Sequence, residues 1–81
     1  MQQVINQVLY DTNKSTLLYS IQSEGDKLGL YRTSKGGYFL AWEVVDSPGK
    51  IQPLSKEGAL VFLEKYGATD TLLKHFLIEE A

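Results

Sequence analysis

Cysteine is absent from this 81-residue chain, which excludes a disulfide framework and any zinc site built on thiolates, and fits a reducing compartment. Histidine occurs once, as His75, with no partner at metal-ligand spacing, so the residue reads as structural and no metal site is expected. No apolar run approaches the ~20 residues needed to span a bilayer, and the start, MQQVINQVLY, lacks the basic head and apolar core of a secretory signal. The expectation is a soluble, unprocessed, cytoplasmic protein with no membrane partner. Charge is sparse as well. Eight Lys and Arg against ten Asp and Glu leave a net charge of −2, which predicts neither a strongly basic nucleic-acid binder nor an acidic DNA mimic. A hydrophobic fraction of 43% is that of an ordinary folded chain, and the length allows a single domain, residues 1–81, with one thin core.

What is present is concentrated in residues 28–45, LGLYRTSKGGYFLAWEVV, which read as a β-hairpin. Two runs rich in aromatic and branched residues flank Ser34-Lys35-Gly36-Gly37, where glycine can take the positive φ angles of a tight turn. A two-residue turn at Lys35-Gly36 sets Thr33 against Tyr38, Tyr31 against Leu40 and Gly29 against Trp42; a three-residue turn shifts every pair. Upstream, residues 4–10 read as a first strand, bent or bulged at Asn6. Residues 15–22 read as a second, with Leu17, Tyr19 and Ile21 alternating with Thr16, Leu18 and Ser20. Residues 50–53 read as an extended crossover.

From Leu54 the period changes. Ala59, Phe62, Leu63 and Tyr66 fall at i, i+3, i+4 and i+7, so a helix is expected from about 56 to 66, with Ser55 as its cap and Gly67 as a left-handed stop. A second helix is expected from Thr69 or Asp70, either of which could cap it, with Leu72, Leu73, Phe76 and Leu77 as its apolar stripe. The fold class is therefore α+β: a four-stranded antiparallel β-meander followed by one or two C-terminal helices packed on one face. Both faces of the hairpin carry apolar residues. The uncovered face calls either for a homodimer or for the N-terminal strand or last helix to wrap it.

No catalytic residue and no cofactor site emerges. Ser55 lacks the spacing of a Ser-x-x-Lys nucleophile, Gly36-Gly37 is followed by neither Gly-Lys-Ser/Thr nor a helix, and the ten carboxylates are scattered. The expectation is a protein that is not an enzyme. Lys27, Arg32, Lys35 and Lys50 around the aromatic hairpin allow a different use, in which bases of single-stranded nucleic acid stack while lysines meet phosphates.

Val4-Ile5-Asn6, Leu9-Tyr10-Asp11-Thr12, Leu30-Tyr31-Arg32-Thr33 with Lys35-Gly36, Tyr38-Phe39-Leu40 and Ile51-Gln52-Pro53-Leu54-Ser55 together resemble a group of small uncharacterised proteins. These are carried by phages and mobile elements, chiefly of Gram-positive bacteria. The chain departs from the group at Gln7, where glycine is usual, and in lacking a glycine-rich insertion after the fourth strand. The resemblance implies an inhibitor that binds a host defence protein, anti-CRISPR proteins acting on a CRISPR effector being prominent examples. On that reading Tyr31, Arg32, Lys35, Tyr38 and Trp42 form the partner-binding surface, residue types favoured at binding hot spots. The alternative is a dimeric single-stranded nucleic-acid-binding protein, since a four-stranded sheet followed by a helix is similar to the positive-cofactor and Whirly-type fold.

Overall fold

The computed structural model describes residues 1–81 and has the expected α+β architecture, with a four-stranded antiparallel sheet and two C-terminal helices on one of its faces. The membership of the sheet differs from the expectation at both ends. Residues 4–10 are not one bent strand. They belong to a separate hairpin of β1 (Gln2–Ile5) and β2 (Val8–Asp11), joined through Asn6 and Gln7 at φ 52° and 67°. Two successive positive φ values define the type I′ turn whose twist suits a two-residue hairpin. A single 3-10 turn, Thr12–Lys14, capped by the Asp11 carboxylate, which accepts the Asn13 N–H at 2.9 Å, leads into the main sheet.

That sheet runs β3 (Thr16–Ser23), β4 (Asp26–Arg32), β5 (Tyr38–Glu43), β6 (Lys50–Leu54), so spatial order follows chain order. The segment read as an extended crossover is thus the fourth strand, and Pro53 is tolerated because β6 is an edge. The central turn is the three-residue kind. Thr33 and Gly37 close it, Gly36 N–H donates to the Thr33 carbonyl at 3.0 Å, and Gly36 sits at φ 88°. Every cross-strand pair consequently moves by one: Tyr31 faces Phe39, Leu28 faces Trp42, and Gly29 faces Ala41. The ring lying over Gly29 is that of Tyr31, not Trp42. A Cβ on Gly29 would come within 2.9 Å of the Tyr31 ring.

Alternation along β3 is interrupted by a bulge at Leu18, between the pairs Leu17↔Tyr31 and Tyr19↔Leu30. The extra residue turns Leu18 into the core and leaves Leu17 facing outward on the opposite side. The period-2 reading of residues 15–22 is corrected by that one inserted residue.

Two cores result, one on each face. The first gathers Leu18, Leu30 and Leu40 of the sheet with Ala59, Leu63, Ala68 and Phe76 of the helical layer. The second gathers Tyr31, Phe39, Ala41 and Ile51, roofed by Met1, Ile5 and Tyr10 of the N-terminal hairpin. The N-terminal segment therefore wraps the second face. Tyr10 meets Phe39 edge-on at 5.4 Å between ring centroids, and Tyr31 stacks on Phe39 at 5.2 Å.

Helix α1 (Lys56–Lys65) begins at Ser55, whose hydroxyl accepts the Gly58 N–H at 3.0 Å. It ends in a Schellman motif: Gly67 at φ 64° donates to Glu64 and Ala68 donates to Leu63 at 2.9 Å. Helix α2 (Thr69–His75) starts at Thr69 as expected, but neither Thr69 nor Asp70 caps it: Ala68 holds the cap position and makes no side-chain cap bond. Phe76 has left the helix in an extended conformation yet stays buried, stacked on Tyr38 at 5.6 Å, whereas Leu77 is 98% exposed and belongs to no stripe. No helix is long and apolar enough to cross a membrane.

Candidate interaction surface

The five residues expected to meet a partner do not form one surface. Tyr31 is 6% exposed, its ring stacked on Phe39 within the second core, so it has no face to offer. This corrects its assignment as an anchor. The register explains it: Tyr31 points to the face opposite Arg32 and Tyr38, which are cross-strand partners on the helical side. Tyr38 is half-buried with its ring engaged by Phe76. Trp42 is half-buried too, packed against the first core with the Lys50 ammonium 5.7 Å from its ring centroid. It lies four residues along β5 from Tyr38, roughly 13 Å at the rise of a strand. Lys35 stands free on the turn. Tyr31, Tyr38 and Trp42 are thus engaged in packing, Arg32 is half-buried on β4, and Lys35 alone of the five is fully exposed.

Lys35 nevertheless belongs to a site. A cleft of about 550 Å3 opens between the N-terminal hairpin and the β4–β5 turn, lined by Gln7, Val8, Leu9 and Tyr10 on one wall and Thr33, Ser34, Lys35 and Gly37 on the other. The second wall is rigid. Thr33 N–H donates to the Gly37 carbonyl at 2.8 Å and Gly37 N–H donates back to the Thr33 hydroxyl at 2.9 Å. The first wall is apolar, with Val8 48% and Leu9 46% exposed. Lys35 is the one charged residue of the lining, and the Asp11 carboxylate next along the strand is turned away to its own 3-10 turn.

Three consecutive residues of β2, Val8 to Tyr10, lining one cleft means that the strand presents its edge, since a face would contribute only alternate residues. Gln7, Val8, Leu9 and Tyr10 were missed because Asn6-Gln7 is not the Asn-Gly that announces a hairpin, so the run looked like a single strand. Asn6, tolerant of the left-handed region, was the signal available.

Nothing here converges as catalytic groups do. No cluster of three or more histidine, cysteine, aspartate or glutamate side chains is placed to hold a metal ion, and the half-buried His75 lies at the end of α2. Comparison with protein-family models, with curated proteins and with solved structures found no match.

Proposed function

We propose that the chain is a non-enzymatic interaction domain that engages a protein partner through the cleft between β2 and the β4–β5 turn. The setting we infer is the one its sequence resemblance implies, a phage or mobile-element inhibitor that occludes a surface on a host defence protein such as a CRISPR effector. One observation carries the reading. An open cleft with an apolar wall and a free cation stands on a small fold whose other aromatic side chains are engaged in packing. The nucleic-acid alternative loses support from the same packing, because Tyr31 is buried against Phe39 and the half-buried Tyr38 already stacks one ring face on Phe76. The argument for a homodimer weakens too, since the N-terminal hairpin covers the second sheet face.

The test is site-specific photocross-linking in host lysate. A benzophenone side chain replacing Leu9 is expected to give one discrete protein adduct, and the same group replacing Val61, exposed on α1, is expected to give none. Adducts from Val61 alone would move the interface to the helical layer. Separately, anisotropy of a labelled single-stranded oligonucleotide is expected to stay flat at low salt; a rise that salt abolishes would restore the nucleic-acid reading.

A further inference from the structure

The walls of the cleft specify more than an apolar hollow. Ile5 and Val8 flank the two-residue turn, and in an antiparallel pair the residues flanking such a turn exchange both backbone hydrogen bonds, as do Gln3 and Tyr10 two residues on. Leu9 lies between them, in a pair that exchanges none. Its N–H and C=O therefore point away from β1, and none of the turn and loop hydrogen bonds reaches them. An unpaired backbone donor and acceptor at the lip of a cleft is a place where another strand can add.

Both edges of the main sheet carry devices against such pairing. On β6 these are Lys50 and Pro53, and on β3 the bulge at Leu18, whose carbonyl lies 3.5 Å from the Thr71 hydroxyl. Along Val8–Tyr10 there is no proline, no charge and no bulge.

We propose, on the reading given above, that the cleft takes an extended acidic segment of the partner as a third strand on β2. Geometry fixes the pattern of that segment. The residue opposite Leu9 exchanges both hydrogen bonds with it and carries its side chain outward beside Leu9, where an apolar group fits. Its two neighbours project to the side of Val8 and Tyr10, the side that faces the main sheet and its β4–β5 turn. Lys35 is the charge waiting there, with no carboxylate in the lining, so those neighbours are acidic. The occupant reads acidic, apolar, acidic.

The probe is a capped, fluorescein-labelled heptapeptide alternating glutamate and valine, titrated by anisotropy into the full chain and mapped by 15N chemical-shift changes. Saturable binding is expected below about 1 mM, with shifts at Val8 to Tyr10 and Ser34 to Gly37. Methylating the valine nitrogens, which face β2 when valine sits opposite Leu9, is expected to weaken binding at least about tenfold, while methylating the glutamate nitrogens is expected to leave it intact. Replacing glutamate by lysine in the peptide is expected to weaken it about tenfold, and Lys35→Glu, in an exposed turn, is expected to reverse that preference. Leu9→Pro removes the outward N–H without taking a hydrogen bond from the β1–β2 ladder and serves as a second variant, its fold checked by its 15N spectrum.

No saturable binding, equal affinity for the acidic and basic peptides, equal effect of the two methylation patterns, or shifts confined to the helical face would each overturn the proposal. A concentration-dependent dimer abolished by Leu9→Pro would also overturn it, placing a second copy on the edge. The two readings fail separately. An adduct from position 9 without peptide binding sinks strand addition and keeps the interaction domain; peptide binding without an adduct sinks the host partner and keeps the acidic-strand site; silence in both sinks both.

Discussion

Single residues in the left-handed region differ in what they cost, and the surroundings decide. Gly36 and Gly49 share positive φ values of 88° and 76°, but a Cβ at Gly36 meets nothing within 4 Å whereas one at Gly49 collides with the Trp42 carbonyl and the Met1 side chain. Gly36→Ala is expected to cost about 1–2 kcal/mol, the backbone preference alone, and Gly49→Ala clearly more, both read by urea denaturation. Gln7 gives the opposite case. It occupies φ 67° without being glycine, so Gln7→Gly is expected to raise stability by about 1 kcal/mol, seen as a higher urea midpoint at unchanged slope. Ser55→Ala removes an N-cap bond and is expected to cost about 1 kcal/mol.

Among the elements, those with a complete local signal were legible and those decided at a distance were not. Helix α1 could be read with its cap and stop because Ser55, the Ala59/Leu63 spacing and Gly67 all act within a few residues of one another. The turn after Thr33 could be located but not counted, since Ser34-Lys35-Gly36-Gly37 suits two loop lengths and only pairing across the sheet chooses. The same shift of one residue sends Tyr31 inward and dissolves the expected aromatic anchor surface. The N-terminal hairpin was hidden because Val4 to Tyr10 alternates tolerably as one strand, and its seat, Phe39, lies about thirty positions further along. That seat is testable. Tyr10→Ala removes the edge-on contact with Phe39 and is expected to speed amide exchange throughout β1 and β2 while Leu30 and Leu40, held by the helices, keep their protection.

For the whole molecule, one sheet serves as the wall of two cores, and neither can dissolve without exposing the other's backing. Stability near 0.05–0.15 kcal/mol per residue gives roughly 4–12 kcal/mol for a chain of this length. Leu30→Ala in the first core and Phe39→Ala in the second, both wholly buried, are each expected to cost about 3–5 kcal/mol, and each to lower a single calorimetric transition rather than split it. The order of the strands has a further consequence, for time rather than energy. Every strand pairs with its neighbour along the chain, so most of the sheet forms by closing short loops, the arrangement that gives fast folding. The N-terminal hairpin is the exception. Its resting place on Phe39 and Ile51 is made from residues synthesised after it. The hairpin is made before its seat, and must wait for it.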